Sequence, residues 1–352
     1  MMPQNLIFTN EVEQALVELL SRKDFNKLCI IADTNSKRCV LDQLHGRPLG
    51  SASLITIKPG EENKNIETLM QVWQQLGEAG CTRHSLVINM GGGMVTDLGG
   101  MAAATFKRGI PFINVPTTLL GAVDAAVGGK TGINFGALKN EIGCFKQATE
   151  VVISTKFFKT LPEQELKSGF AEMLKHALLS SDEDLEELLN FDLQGSSGDA
   201  LLDVLKTSVL VKERIVEQDP QEQGTRRALN LGHTVGHAFE SHALSQGKPI
   251  PHGYGVAWGL VTEMVLSHLL LKFPSRVLYR LARFVRENYK GHPITCDDYS
   301  ALLDLMRHDK KSRGGEINCT LLKACGDCQI DNFIEDEDMK AALDIYRDLM
   351  HI

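Results

Sequence analysis

The chain has 352 residues, 43% of them hydrophobic and 23% charged, and its formal net charge is -8. These values are typical of a globular protein with room for two domains, and they exclude a generally disordered chain. The negative balance argues against a general nucleic-acid or membrane surface, so an anionic ligand requires a local group of cations. Scattered cysteines and a first segment without a basic start or an apolar core predict a cytoplasmic protein.

Short apolar runs alternate with helical patterns in the first half of the chain. The runs predict strands that are buried on both faces: Leu28–Ala32, Leu54–Ile57, Leu86–Met90, Phe112–Val115 and Val151–Ile153. Repeated strand–helix–strand units predict a parallel sheet with helices on both sides. Ligands of such sheets bind beyond the carboxyl ends of the strands, and we expect a site there.

The pattern becomes helical after Pro162. The predicted helices are Glu163–Leu179, Asp182–Asn190, Asp199–Glu217, Leu231–Leu244, Val256–Leu271, Ser275–Asn288, Asp297–Arg307 and Asp336–Met350. Val256–Leu271 is strongly apolar but too short to span a bilayer, so we interpret it as a buried helix. A short strand is predicted at Ile317–Leu322, and the domain boundary is expected near Ser154–Pro162.

The stretch Asn230–Glu240 carries two histidines, His233 and His237, one helical turn apart. Imidazoles at this spacing face the same side of a helix, and neutral imidazole is the commonest protein ligand of zinc. Spacing alone therefore nominates His233 and His237 as a ligand pair, with Glu172 and His252 as further ligands of an open metal site. The alternative is a helix whose histidines pack against a neighbouring element.

A glycine run indicates a second site. Gly91, Gly92 and Gly93 follow a predicted strand and open a helix, where backbone N–H groups and the helix N-terminus favour a phosphate. The alternative is a tight glycine turn without a ligand. Asp97, one turn into the helix, would meet a ribose hydroxyl or stabilise the helix start.

Cations near glycines in the first half indicate a small anionic substrate. Lys130 follows a glycine pair, Lys139 precedes Asn140, and Arg108 precedes a predicted strand. We place these residues in loops, where ammonium, guanidinium and amide groups would bind an anion. The alternative is that they are solvated surface residues, as most lysines are.

Several motifs in one order resemble a known family. They are Gly91–Asp97, Asp124–Asn140, Ala171–Lys175, Leu229–Glu240 and His252-Gly253. With them, the chain resembles the 3-dehydroquinate synthases of the sugar-phosphate cyclase superfamily, and the resemblance covers most of its length.

The resemblance implies an architecture and two cofactors. A Rossmann-like α/β domain that binds NAD would span residues 1–157, and a mainly α-helical domain that binds metal and substrate would span residues 158–352. The metal would be Zn²⁺ or Co²⁺, and the protein would be a homodimer with no nucleic-acid or membrane partner.

The resemblance also implies roles for individual residues. The metal ligands would be Glu172, His233 and His252, so that His237, which spacing nominates, would not be a ligand. Residues with catalytic roles would be His237, Lys175, Asp124 and Lys130.

Binding residues follow in the same way. The substrate would be bound by Arg108, Lys130, Lys139, Asn140, Lys175, Lys212, Arg226, Asn230, His237 and one of Lys310 and Lys311. NAD would be bound by Asp33, Asn35, Glu61, Lys64, Gly92, Gly93, Asp97, Thr117, Thr118, Lys130 and Lys139. Within the substrate set, Lys212 and Arg226 would face a carboxylate, and Arg108 would reach the phosphate site of the partner subunit.

The sequence departs from the family pattern at two positions. Tyr254 stands where the family usually has Glu after His-Gly, and Thr96 replaces a glycine before Asp97. The first change puts in doubt a carboxylate expected to orient His252, which matters because such partners tune a metal.

The implied activity is that of a phosphate-eliminating lyase of the shikimate pathway. It would convert 3-deoxy-D-arabino-heptulosonate 7-phosphate into 3-dehydroquinate by transient oxidation, phosphate elimination, re-reduction and aldol closure. The rival interpretations are another sugar-phosphate cyclase, a metal-dependent polyol dehydrogenase and a non-catalytic relative. The pair of cations that would bind a carboxylate, Lys212 and Arg226, favours the synthase. The cations that would bind an anion argue against a polyol dehydrogenase, because a polyol carries no charge.

Overall fold

The computed structural model describes residues 4–44, 49–136, 138–196, 198–308 and 315–352. The chain forms two compact units, Met1–Pro162 with Gly195–Val209, and Glu163–Gln194 with Leu210–Ile352. The first unit runs to Pro162, which is the end of the expected boundary region Ser154–Pro162, and it also takes in a later segment. That segment is bound by Asn10, whose Nδ2 donates to Asp199 Oδ1 at 2.7 Å, and by Thr155, whose Oγ1 donates to Gly198 O at 2.6 Å.

The strands of the first unit are β1 (Asn5–Phe8), β2 (Leu28–Asp33), β3 (Ser53–Ile57), β4 (Leu86–Gly91), β5 (Phe112–Pro116), β6 (Lys130–Phe135), β7 (Leu138–Phe145) and β8 (Glu150–Ile153). Among the described residues, six of these strands form one parallel sheet in the order β1-β8-β5-β4-β2-β3. The parallel α/β sheet predicted from the sequence is therefore confirmed. Strands β2, β4, β5 and β8 are buried along their whole length, which explains their unbroken apolar runs.

The order of the sheet locates its ligand-binding edge. After β2 the chain adds β3 on one side, and β4, β5 and β8 then follow on the other side. The order therefore reverses between β2 and β4, and such a switch point opens a crevice outside the carboxyl ends of the two strands. The helices of this unit are α1 (Val12–Ser21), α2 (Thr34–Cys39), α3 (Ile66–Glu78) and α4 (Gly93–Thr105). Helices α2 and α4 begin directly after β2 and β4, at this edge.

Strands β6 and β7 form an antiparallel hairpin that the sequence did not predict. We placed Lys130, Lys139 and Asn140 in loops, and this was wrong, because Lys130 opens β6 and the other two lie in β7. Almost all of β7 is exposed, so its sequence lacks the alternation of a half-buried strand. The paired backbones approach closely, since a Cβ at Gly143 would lie 2.3 Å from Thr131 O.

The second unit is mainly helical. Its helices are α5 (Glu163–Leu178), α6 (Asp182–Leu189), α7 (Gly198–Gln218, shared with the first unit), α8 (His233–Ser245), α9 (His252–Leu271), α10 (Ser275–Tyr289), α11 (Tyr299–Arg307) and α12 (Asp336–Met350). The strand predicted at Ile317–Leu322 is confirmed as β9 (Ile317–Ala324). It pairs with β10 (Asp327–Ile334), which the sequence did not predict.

Helix α9 is the centre of this unit. Its composition and length alone would allow it to cross a membrane, but 72% of its most apolar window is buried inside the protein. Helices α5, α8, α10 and α12 and strand β9 pack around it. The interpretation of this stretch as a buried helix is confirmed by the packing.

Glycines bring α8 and α9 into backbone contact. A Cβ at Gly259 would lie 1.9 Å from Gly232 O, and one at Gly236 would lie 2.8 Å from Gly255 O. No side chain fits in this contact, so glycine is required at the crossing. The close approach brings the first turns of the two helices together, and these turns carry His233 and His252.

Candidate functional site

The helical unit brings a carboxylate, two imidazoles and an ammonium together. Glu172 and Lys175 lie one turn apart on α5, His233 opens α8 and His252 opens α9. Glu172 Oε1 is 3.4 Å from His233 Nε2 and 3.2 Å from His252 Nε2, and the Lys175 ammonium pairs with Glu172 Oε2. One ligand atom from each of Glu172, His233 and His252 lies within 4.8 Å of the other two.

Burial and charge define the electrostatics of this cluster. Glu172 is fully buried, and burial alone would raise the pKa of its carboxyl. The charges of Lys175 and His233 outweigh burial and hold that pKa well below its usual range. Burial acts in the opposite direction on His252 and lowers its pKa, but the carboxylates of Glu240 and Glu172 raise that pKa to about 10. An ionised carboxylate therefore faces cationic groups here, in a position that a metal ion would share with the imidazoles.

The donor set fits a divalent transition metal. One carboxylate oxygen and two imidazole nitrogens are the ligands that Zn²⁺ takes in open sites with three protein ligands. Both imidazoles turn Nε2 toward Glu172, because their Nδ1 atoms have other partners. His233 Nδ1 lies 3.0 Å from Leu231 O, and His252 Nδ1 lies 2.7 Å from Glu240 Oε1. Such outer contacts fix the tautomer of a ligand histidine.

His237 lies beside the cluster without sharing its atoms. Its ring centroid is 5.3 Å from that of His233 and 5.8 Å from that of His252. It belongs to a second group of ligand atoms within 4.8 Å of one another, from His237, Glu240 and His252. The pair nominated by spacing, His233 and His237, is therefore divided between two groups that share His252.

Two carboxylates next to the cluster were not singled out from the sequence. Glu240 contacts His252, and Glu263 is a fully buried carboxylate of α9 that accepts from Gly232 N at 2.6 Å and from Val235 N at 3.3 Å. Glu263 thus caps the first turn of α8, where His233 lies. A charged residue inside an apolar helix is a signal that could have been used, because a buried charge requires partners.

The sheet edge of the first unit is built mainly from backbone. Asp33 ends β2 and caps α2, accepting from Asn35 N at 2.8 Å and from Ser36 N at 2.9 Å. Gly92 is the N-cap of α4 and makes no side-chain cap. Gly92 and Gly93 are partly exposed, and the first N–H groups of a helix have no acceptor within the helix, so this helix N-terminus could bind an anion.

Side chains pack closely around this helix start. A Cβ at Gly92 would lie 3.1 Å from Thr118 Cγ2, and one at Gly93 would lie 3.1 Å from Ala125 Cβ. Thr117 is buried just after β5, with its Oγ1 3.4 Å from Ser36 Oγ. The edge is a cradle that a methyl group would fill, which fits a phosphate held by main-chain N–H groups.

Lys64 joins several residues that the resemblance assigns to NAD or to substrate. Its buried Nζ contacts Asp97 Oδ2 at 2.5 Å and Glu61 Oε1 at 3.7 Å, and it donates to Asn140 Oδ1. Burial raises the pKa of Asp97 to about 6, although Lys64 acts to lower it. Asn140, expected at the substrate, therefore binds a residue expected at the cofactor.

The other residues of the first unit that the resemblance assigns to catalysis or to substrate binding are exposed or partly exposed. Asp124 lies in a π-helical turn, Gly121–Ala125, and is partly exposed. Lys130, Lys139 and Arg108 are exposed, and Arg108 has a left-handed backbone with φ 70°. Their accessibility is compatible with binding an anionic ligand.

Two cations of the second unit are buried instead. Lys212 is 5% exposed and Arg226 is 2% exposed, so neither is a solvated surface cation. Arg226 Nη1 donates to Pro220 O at 2.7 Å, while Arg227 Nη1 pairs with Asp331 at 2.6 Å. Asn230 is partly exposed and ends the same 3₁₀ helix, Thr225–Asn230. Lys310 and Lys311 lie outside the described residues.

These observations define a class of protein. It has an α/β unit in which a helix N-terminus suited to a phosphate lies at the sheet switch point, and a helical unit with a carboxylate–imidazole cluster that could hold a metal ion. Two family models match consecutive parts of the chain, 3-dehydroquinate synthase N-terminal at residues 54–168 and 3-dehydroquinate synthase C-terminal at residues 169–312. The 3-dehydroquinate synthase of Parabacteroides distasonis is 45% identical over 349 residues, or 99% of each chain. The chain belongs to the 3-dehydroquinate synthase family.

Solved structures agree with the fold. The structure of a 2-epi-5-epi-valiolone synthase from Streptomyces hygroscopicus with NAD⁺ and Zn²⁺ bound has a TM-score of 0.81 at 26% identity, over 99% of this chain and 98% of that one. A 2-deoxy-scyllo-inosose synthase complexed with carbaglucose-6-phosphate, NAD⁺ and Co²⁺ has a TM-score of 0.84 over 97% and 96% of the chains. At 20% identity, the second likeness concerns the fold alone.

Proposed function

We propose that this protein converts 3-deoxy-D-arabino-heptulosonate 7-phosphate into 3-dehydroquinate and phosphate, using NAD and a divalent metal, Zn²⁺ or Co²⁺. The observation that carries the proposal is the buried cluster of Glu172, His233 and His252 with Lys175 beside it, in a chain of the 3-dehydroquinate synthase family. The solved 2-epi-5-epi-valiolone synthase, at 26% identity, was determined with NAD⁺ and Zn²⁺, which supports the same kinds of cofactor here.

The two cofactors have separate sites in this proposal. Glu172 Oε1 and the Nε2 atoms of His233 and His252 would hold the metal, and the start of α4 would hold the NAD phosphates. The chemistry that these groups supply when bound is reversible hydride acceptance and Lewis-acid polarisation of a substrate hydroxyl. The protein would orient the substrate and exclude water.

Lys175 and His237 would carry out the proton transfers at the metal site. Lys175 is 1% exposed and its ammonium pairs with Glu172, so it would hold a proton close to a substrate oxygen bound by the cluster. The His237 ring lies beside both imidazole ligands and outside their set. Its imidazole is suited to proton exchange near neutral pH, as a general acid or base.

The buried cations Lys212 and Arg226 would bind the substrate carboxylate. Burying a cation is costly unless an anion or polar partners compensate, and a carboxylate provides a bidentate partner for a guanidinium. A carboxylate clamp separates this substrate from sugar phosphates that carry no carboxylate. Asn230 would contact the substrate from the same 3₁₀ helix.

The exposed groups of the first unit would bind the phosphate that leaves. Lys130, Lys139 and Asn140 lie on the hairpin β6–β7, and Asp124 lies in the π-helical turn before it. We further propose that the active form is a homodimer in which Arg108 reaches the phosphate site of the partner subunit. Mixed dimers of an Arg108→Ala chain and a Lys130→Ala chain would then regain activity, and no recovery in verified mixed dimers would contradict the shared site.

The reaction itself provides the test of the function. Purified protein receives NAD, Co²⁺ and the heptulosonate phosphate, while phosphate, 3-dehydroquinate and NADH are measured together. We expect equal amounts of phosphate and 3-dehydroquinate with no net NADH, and loss of both products after chelation. Accumulating NADH would identify a dehydrogenase instead, and phosphate release with a different carbocycle would identify another cyclase.

A cytoplasmic location completes the proposal. Eight cysteines are free thiols in the structure, as expected for a reducing compartment. Cell fractionation with an antibody against the protein would find it in the cytosolic fraction, and recovery with membranes would contradict this location.

A further inference from the structure

His252 lies between two carboxylates that contact opposite nitrogens of its ring. Its Nε2 is 3.2 Å from Glu172 Oε1, within the metal cluster, and its Nδ1 is 2.7 Å from Glu240 Oε1. The Glu240 side chain is 12% exposed, so little water competes for this contact. The orientation of the ring therefore depends on Glu240 as well as on the cluster.

The crossing of α8 and α9 delivers Glu240 to this position. Glu240 lies seven residues after His233, two turns along the same face of α8. A Cβ at Gly255 would lie 3.0 Å from Glu240 Cγ and 3.2 Å from its Oε1. The missing side chain at residue 255 thus leaves the space in which the Glu240 carboxylate reaches His252.

We propose that Glu240 is a positioning residue of the metal site, whose carboxylate accepts the Nδ1–H of His252, fixes the ring tautomer and directs Nε2 toward the metal. A carboxylate in this position increases the basicity of a ligand imidazole and restricts its rotation. The carboxylate comes from α8, while Tyr254 occupies the position after Gly253 on α9. This inference rests on the metal-dependent function proposed above.

The other imidazole ligand has a different partner. His233 Nδ1 lies 3.0 Å from a backbone carbonyl, Leu231 O, whereas His252 has an ionisable side chain. A charged acceptor binds an N–H group more strongly than a neutral one. Of the two ligand histidines, His252 is therefore the one whose metal affinity a single side-chain substitution can tune.

A competing arrangement makes Glu240 a ligand. His237, Glu240 and His252 also bring three ligand atoms within 4.8 Å of one another. The two arrangements differ in their response to glutamine, whose amide oxygen can still accept the Nδ1–H of His252. Glutamine would preserve most of a positioning contact, but it would be a poor substitute for a carboxylate ligand.

Cobalt binding to the metal-free protein tests the inference. Wild type, Glu240→Gln, Glu240→Ala and the control Ser241→Ala, an exposed neighbour on α8, are titrated with Co²⁺ against a competing chelator. The d–d absorption at saturation reports the coordination of the bound ion. We expect the Kd of Glu240→Ala to rise about 10- to 100-fold, that of Glu240→Gln to rise less than about tenfold, and that of Ser241→Ala to stay unchanged.

The spectrum separates positioning from ligation. We expect the d–d intensity per bound cobalt to match wild type in both Glu240 variants, because the three ligands remain. Wild-type affinity in Glu240→Ala would overturn the inference. So would an altered spectrum in Glu240→Gln, which would make Glu240 a ligand. If wild type binds no cobalt, the proposed function itself fails, so the two failures are distinguishable.

Discussion

The two candidate sites of this protein are built from different material. In the helical unit, Glu172 and Lys175 are buried side chains whose charges are already paired, and His233 and His252 are oriented by outer contacts. At the sheet edge of the α/β unit, the start of α4 offers main-chain N–H groups beside glycines. A site of side chains should be disrupted by removing a charge. A site of backbone should be disrupted by adding a methyl group.

The largest effect is expected from Glu172→Gln. This change leaves the Lys175 ammonium buried without its carboxylate, which should reduce the free energy of unfolding of the metal-free protein by about 3–5 kcal/mol. It should also abolish metal binding and activity. Urea unfolding and cobalt titration measure the two effects separately.

A double variant distinguishes the loss of the ion pair from the loss of a metal ligand. Glu172→Gln combined with Lys175→Met removes both charges, so it should recover most of the lost stability while metal binding stays lost. Metal binding by this double variant at wild-type affinity would show that Glu172 is not a ligand.

The next effect concerns the buried cations of the helical unit. Arg226→Gln removes a charge-assisted contact worth roughly 1.5–3 kcal/mol, so kcat/KM on the heptulosonate phosphate should fall about tenfold to a hundredfold. The control is Arg227→Gln, because Arg227 pairs with Asp331 instead. We expect Arg226→Gln alone to lose activity, with cobalt affinity unchanged. Equal losses on an analogue without the carboxylate would refute the carboxylate assignment.

The backbone site is tested by a methyl group. The Cβ of Gly92→Ala would lie 3.1 Å from Thr118 Cγ2, so the helix start or Thr118 must shift. Loss of one main-chain hydrogen bond to a phosphate should weaken NAD binding about tenfold, corresponding to roughly 1.4 kcal/mol. Calorimetry with NAD should show this loss, with cobalt affinity as the internal control. Unchanged NAD affinity would place the dinucleotide elsewhere.

The smallest effect is expected from pH. Burial raises the pKa of Asp97 to about 6, so its carboxyl is ionised above that pH and protonated below it. If the ionised form accepts a ribose hydroxyl, NAD affinity should fall as pH decreases through about 6, by roughly fivefold for about 1 kcal/mol. Asp97→Asn should remove this transition. A transition that persists in Asp97→Asn would belong to another group.

How much of the fold the sequence predicts depends on the burial of each strand. Strands β2, β4, β5 and β8 were found because burial on both faces produces unbroken apolar runs. The hairpin of β6 and β7 was missed because β7 is almost entirely exposed. The position of an exposed strand follows from pairing, and its sequence carries no periodic signal.

The cluster of Glu172, His233 and His252 shows that the sequence alone also cannot identify which single residues meet. Helical spacing places His233 and His237 on one face, but it cannot select His252, which comes from another helix. The contact of Glu240 with His252 depends on how closely α8 and α9 cross, and Gly236 and Gly255 determine that distance. Residue types alone suggest ligands, whereas the tertiary crossing determines which of them meet.

Anomalous diffraction from crystals of the cobalt-loaded protein tests the central claim most directly. Two groups of ligand atoms share His252, and only one can be the principal metal site. We predict one strong anomalous peak bonded to Glu172, His233 and His252, with metal–nitrogen distances of about 2.0–2.1 Å. A peak bonded to His237 and Glu240, or no peak at either group, would contradict the account.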